Sequence, residues 1–205
     1  MAEPADELTP QQRESVEGVL AWMQETLGVH RKEKIPDNDW MLIVKLHAMI
    51  ETGLNAALLK QFAVPELASV IAKLDTSNTA TGKIAFAKAL KILEPKSAVF
   101  VQKLSELRNL CVHDVRNFEF QLDKHLDGLS DDKRNELVKP VMKLVAPESK
   151  NSTSFREALW IGVMQIMMEL LIHDLKCRNR DLNSKLWRLQ SELYEKQQES
   201  NPSKE

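Results

Sequence analysis

Asp37-Asn38-Asp39-Trp40-Met41-Leu42-Ile43-Val44-Lys45-Leu46-His47-Ala48-Met49-Ile50-Glu51-Thr52-Gly53-Leu54-Asn55-Ala56-Ala57-Leu58-Leu59-Lys60-Gln61-Phe62 decides the fold. Its first three residues are short polar side chains that cap a helix by accepting from free backbone N–H groups. Behind them Leu42, Ile43, Leu46, Met49, Ile50, Leu54, Leu58 and Phe62 recur three and four apart. The stripe they trace is too broad for a helix with one face in water. Such a helix needs apolar neighbours on several sides, so it is expected at the centre of a helical bundle.

The flanking sequence supplies those neighbours. Upstream, Thr9-Pro10-Gln11-Gln12 offers an N-cap and a first-turn proline, Val16, Val19, Leu20, Met23 and Leu27 follow with helical spacing, and Gly28 stops the run. Residues 29–36 are polar and basic and read as a loop. Downstream, Pro65 opens a short segment, 66–74, and Asp75 to Thr79 is a loop by composition. A further helix is expected from Thr81 to Leu93, where Glu94-Pro95 ends it. From Lys96 the pattern resumes through Val99, Phe100, Leu104, Leu107, Cys111, Val115 and Phe118. Asp127-Gly128 breaks the chain, and Ser130 caps a helix to Val145 that Pro140 is expected to kink or interrupt. Ser154-Phe155-Arg156-Glu157 is a capping box ahead of the longest pattern, which runs to Gln197.

The chain therefore reads as all-α, an antiparallel helical bundle with a long C-terminal helix. Residues 1–36 form an N-terminal tail, amphipathic helix and loop, 37–175 the bundle, and 176–205 a C-terminal extension with a frayed end. In that extension Ile172, Leu175, Asn179, Leu182, Leu186, Leu189 and Leu193 alternate three and four apart, as a coiled-coil seam does. Asn179 stands at a position where a buried Asn fixes register. Packing of the same stripe along its own bundle is the alternative.

With 205 residues the chain can bury one good core, and only 6 Gly and 8 Pro suit long helices with short links. A net charge of −2 lacks the basic excess that bulk phosphate binding uses, so any nucleic-acid contact has to be local. Cys111 and Cys177 show neither metal spacing nor a disulfide framework and read as buried thiols of a reducing compartment. The acidic N-terminus lacks the apolar core of a signal peptide. The apolar run from Ala158 to Leu171, broken by Gln165 and Glu169, reads as too short to span a bilayer. A cytoplasmic protein without a membrane partner is expected.

One segment carries chemistry: Leu104-Ser105-Glu106-Leu107-Arg108-Asn109-Leu110-Cys111-Val112-His113-Asp114. On a helix Leu104, Leu107 and Cys111 fall together towards the core, while Asn109, His113 and Arg116 gather opposite, with Arg108 at the margin. These groups suit phosphodiester chemistry without a metal. A histidine can exchange a proton with an oxygen, an arginine can hold a phosphate as its charge grows, and an asparagine can orient either. A solvated polar helix face is the other reading.

Arg108-Asn109-x-x-x-His113, late in an all-α bundle, resembles the R-x4-6-H motif of HEPN domains. Gly82-Lys83-Ile84, then Ala87, Ala89-Leu90 and Ile92-Leu93, leads into Leu104-x-x-Leu107-Arg108-Asn109 and, past His113, Phe118-Glu119-Phe120. That succession is similar to the layout of the mannitol operon repressor family and covers Trp40 to Leu126. Where that family has an aromatic and a small residue before the histidine, Cys111 and Val112 stand here.

The resemblance implies a homodimer in which two copies of this helix form one composite ribonuclease site. His113 is then the acid and base, Arg108 the phosphate and transition-state ligand, and Asn109 the orienting group. A toxin–antitoxin or defence role with RNA as substrate follows from that family. The repressor-type relatives imply instead a non-catalytic regulator that works through a protein partner.

Arg116, with His47 and Glu51, is a candidate for support or phosphate binding around that site. His47 and Glu51 lie one turn apart on the central helix, and Glu51, near the apolar stripe, needs a partner if buried. A structural hydrogen bond to a neighbouring helix is the plainer role for the pair. His30 and His125 lie in polar segments and read as solvated, and His173 reads as a helix contact. No His-x-x-x-His or Glu-x-x-His spacing, glycine-rich phosphate loop or nucleophile elbow occurs, so no metal and no cofactor is expected.

Overall fold

The computed structural model describes residues 38–113, 119–145 and 153–200, with the backbone alone for 193–200. Among these, the elements are α1 (Asp39–Phe62), a 3-10 turn (Pro65–Leu67), α2 (Ala68–Lys73), α3 (Lys83–Ala89), α4 (Pro95–His113), α5 (Leu122–Asp127), α6 (Asp131–Val145) and α7 (Phe155–Ser200). No strand occurs among the described residues. The expected N-terminal helix of residues 9–28 and the stretch beyond His113 that holds Val115, Arg116 and Phe118 lie outside them.

The helix that decided the fold is where its pattern put it. Asn38 Oδ1 accepts from Met41 N at 2.9 Å at its start. At its end Ala63 turns left-handed with φ 54° and donates to Leu59 O. Leu42, Ile43, Leu46, Ile50, Leu54 and Leu58 are fully buried, each contributing roughly 1.5–3 kcal/mol relative to exposure. α1 packs against both α4 and α7, and α6 closes the four-helix ring by packing against the same two.

Side-chain contacts fix the directions. Trp40 bonds to Cys111 and His47 to Ser105, so α1 and α4 run antiparallel. Asp39 pairs with Arg156 and Gln61 meets Cys177, so α1 and α7 run parallel. The layers approach closely at two glycines. A Cβ on Gly53 would stand 2.8 Å from Leu170 Cδ1, and one on Gly162 only 2.3 Å from Phe100 Cε2.

Two expectations need correction. The helix expected to reach Leu93 stops at Ala89, because Lys91 adopts a left-handed φ of 55° and Ile92 N turns back to Ala87 O at 2.8 Å. Ile92 and Leu93 still reach the core, but from the turn. Pro140 does not interrupt α6, which is continuous through it. The carbonyl deprived of its N–H belongs to Glu136, an exposed residue, so water can take that acceptor.

α7 starts as its capping box requires. Glu157 N donates to Ser154 Oγ at 3.2 Å and Ser154 N to Glu157 Oε2 at 2.9 Å. By length and composition, Asp39–Phe62 and Phe155–Glu192 are both apolar enough to cross a membrane, so the run read as too short is part of a longer one. In α1 more than half of that apolar span is buried inside the bundle, which accounts for its composition.

Candidate functional site

The motif occupies the last two turns of α4. Leu104, Leu107 and Cys111 are buried as expected, and the indole Nε1 of Trp40 donates to Cys111 O at 2.8 Å, pinning this end of the helix to the start of α1. Burial pushes the Cys111 thiol up to about 11, so it is held as an inert thiol.

Arg108 and Asn109 are half-buried, and Arg108 Nη1 donates to Asn109 Oδ1 at 3.1 Å. His113 is exposed in the final turn. Five residues at 100° each leave Arg108 and His113 about 140° apart around the helix, while Asn109 and His113 share a face. Among the described residues no hydrogen bond joins His113 to Arg108 or Asn109. One chain therefore brings Arg108 and Asn109 together and leaves His113 to the side. Arg116 lies outside the described residues.

Arg108 has neighbours on the other side that the sequence named only in part. His47 is buried and stands 3.2 Å from Ser105 Oγ, which itself donates to Val101 O at 2.8 Å. With the hydroxyl proton committed to that carbonyl, the network assigns the neutral imidazole proton to Nε2. Burial lowers the His47 pKa below its ordinary 6.5, and the charges of Arg108 and Lys83 reinforce this against the pull of Glu51 and Asp75.

Glu51 has the partner its position demanded. The side chain of Lys83 is fully buried, and its Nζ donates to Glu51 Oε1 at 2.6 Å; Thr76 Oγ1 donates to the same oxygen at 3.2 Å. Burial alone would raise the Glu51 carboxyl, but the Lys83 hydrogen bond and charge hold it below the usual range.

The segment from Asp75 to Gly82 is folded tightly against this pair. Asp75 Oδ1 accepts from Ser77 N, Ser77 Oγ and Asn78 N, while Asn78 Oδ1 accepts from Ala80 N and Thr81 N. Ser77 in particular holds the Asp75 carboxyl below its ordinary value. A Cβ on Gly82 would meet Asp75 O at 2.2 Å, so only glycine lets the chain pass here. Lys83, Thr76 and Ser105 were missed as partners. The one signal for Lys83 was that an acid on the apolar stripe calls for a base, and the sequence does not say which lysine answers.

The other described histidines, His125 and His173, are structural, and His30 lies outside the described residues. His125, read as solvated, is half-buried with its ring 5.3 Å from that of Phe120, and burial lowers its pKa. His173 Nε2 stands 3.5 Å from Cys177 Sγ in the same helix, and Cys177 reaches Gln61 Oε1 on α1. Both cysteines are buried free thiols. Among the described residues no group of three or more His, Cys, Asp or Glu stands ready to hold a metal ion. A groove of about 730 Å³ opens between the α3–α4 turn, the end of α6 and one side of α7. None of Arg108, Asn109, His113, His47 or Glu51 lines it, so this groove is not at the motif.

Comparison with models of protein families, with curated proteins and with solved structures finds no match to this chain.

Proposed function

We propose that this chain is a metal-independent ribonuclease whose site is completed where the ends of two α4 helices meet. The observation that carries the reading is the unequal placement of the motif. Arg108 and Asn109 are bonded and half-buried on a pinned helix end, while His113 is exposed one turn on. A second copy can bring its own histidine to a phosphate held by the Arg–Asn pair. Leu110 and Val112, 45% and 37% exposed in the last turns of α4 beside His113, give that contact an apolar border.

In the reaction, His113 takes the proton of a ribose 2′-hydroxyl and the 2′-oxygen attacks the adjacent phosphorus. The bond from phosphorus to the 5′-oxygen breaks, and the same histidine of the second copy protonates the leaving oxygen. A 2′,3′-cyclic phosphate and a 5′-hydroxyl result. Arg108 stabilises the charge that grows on the non-bridging oxygens, and Asn109 orients its guanidinium. His47, neutral and buried beside Arg108, positions rather than reacts.

The test is RNA cleavage by the purified chain in EDTA, comparing wild type with Arg108→Ala and His113→Ala. Cyclic-phosphate ends made by the wild type and lost in both variants support the reading. Folded variants that cleave as the wild type does refute it.

A second reading has its own observation. Leu182, Leu186, Leu189 and Trp187 on α7 are all more than half exposed, which suits a non-catalytic regulator that works by binding protein. Intact RNA after incubation with well-folded protein favours it.

A further inference from the structure

α7 is a 46-residue helix of which the first half belongs to the bundle. Cys177 is the last buried residue along it among those described to Glu192, and every residue from Arg178 to Glu192 is exposed. From there the helix continues to Ser200, an arm of about 35 Å at 1.5 Å per residue. Most helical stability comes from packing an apolar face, and this arm has no packing neighbour among the described residues.

The arm has such a face. Ile172, Leu175, Asn179, Leu182, Leu186 and Leu189 keep the alternating three–four spacing of a two-helix seam. Cys177 and Asp181, which meet Gln61 and Lys60 of α1, lie on the opposite side of the helix. The seam therefore points away from the bundle, and nothing among the described residues covers it beyond Cys177.

Charge selects the occupant and its direction. Residues 176–188 carry Lys176, Arg178, Arg180, Lys185 and Arg188 against Asp181, whereas 189–200 carry Glu192, Glu195 and Glu199 against Lys196. Two arms laid parallel set basic half on basic half. Laid antiparallel, they set each basic half on an acidic one.

We infer that two copies of this chain pair through an antiparallel coiled coil of their α7 arms, with the two-fold axis beside Trp187. In this register Leu186 faces Leu189 of the second copy, and Lys185, flanking the seam, lies alongside its Glu192. The end of the helix at Ser200 then comes opposite Leu175, so the overlap uses the whole arm and stops where the bundle begins. Trp187, 72% exposed in the single chain, stands level with its symmetry mate along the arms, on the outer flank of the pair.

This contact goes beyond the ribonuclease reading and does not rest on it. An axis beside Trp187 holds the two bundles about 30 Å apart along the arms, at 1.5 Å per residue from Cys177. The α4 ends consequently do not meet across it. A chain with both contacts joins such pairs into a larger assembly.

The test is the mass of the full-length chain by sedimentation at micromolar concentration, with Leu186→Glu, Lys185→Glu and the double variant Lys185→Glu/Glu192→Lys. The wild type self-associates and Leu186→Glu abolishes the arm contact while the bundle stays helical by circular dichroism. Lys185→Glu weakens it roughly tenfold, since two symmetric attractions become repulsions, and the charge swap restores it. A wild type that is monomeric, or an assembly indifferent to Leu186→Glu, overturns the proposal. Indifference to Lys185→Glu overturns the antiparallel register, because parallel pairing sets Lys185 against Gln190. RNA cleavage unchanged in Leu186→Glu leaves the α4 reading standing whatever the arm does.

Discussion

Replacing Glu51 by Gln keeps the shape of the side chain and removes the charge that Lys83 is built around. Lys83 is fully buried and its other hydrogen bond, to Ala72 O, is long at 3.4 Å, so no second acceptor replaces the carboxylate. Breaking a buried ion pair from one side costs about 3–5 kcal/mol. Glu51 is 37% exposed, so solvent screens part of the pair and the lower end of that range applies.

A loss of about 3 kcal/mol is expected, which for a chain of this size lowers Tm by roughly 9 °C. Urea unfolding followed by tryptophan fluorescence measures it. Pairing the change with Lys83→Met removes the stranded charge and is expected to restore at least half of the loss.

A loss below about 1 kcal/mol, or one that Lys83→Met does not relieve, refutes the argument that this pair anchors the 75–82 segment beside His47.

Other predictions follow from single contacts. Gly162→Ala drives a Cβ into the Phe100 ring and is expected to cost about 1–3 kcal/mol by over-packing, read from the same urea curves. Ser154→Ala removes the Oγ that accepts from Glu157 N, leaves the backbone bond from Ser154 N to Glu157 Oε2 in place, and should cost about 1 kcal/mol, with loss of helicity at that end. His47 has a folded pKa below its ordinary 6.5, so its contribution to stability is present above that pH and is lost as pH falls through the folded value. His47→Gln should flatten the acid side of the stability curve. His125 and His173 are lowered by burial too and supply the slope that remains.

The legible part of this molecule was the part written in apolar spacing. α1 could be placed at the centre because its stripe wraps too far round for one exposed face, and the capping box at Ser154 carried its own geometry. The end of α3 was not legible, since Ala-Lys-Ala-Leu-Lys-Ile-Leu is as good a helix as any. It ends because packing of Ile92 and Leu93 rewards a left-handed turn at Lys91. The continuity of α6 through Pro140 was not legible for a similar reason: the cost of a proline depends on whether the orphaned carbonyl reaches water.

At the candidate site the sequence located Arg108, Asn109 and His113 on one helix and gave Arg108 its marginal position. It could not show that Glu51 belongs to Lys83, or that Ser105 faces His47. Those pairings join residues 32 and 58 positions apart, and only the crossing of α1 with α3 and α4 decides them.

The central claim is attack by a ribose 2′-hydroxyl at a site built from Arg108, Asn109 and His113. The most direct measurement uses an RNA that the wild type cuts in EDTA, remade with a single 2′-deoxy sugar on the 5′ side of the cut. The account predicts that cleavage stops at that one position and continues elsewhere with cyclic-phosphate ends. Equal cleavage of both substrates, or no cleavage of any RNA by folded wild type, contradicts it.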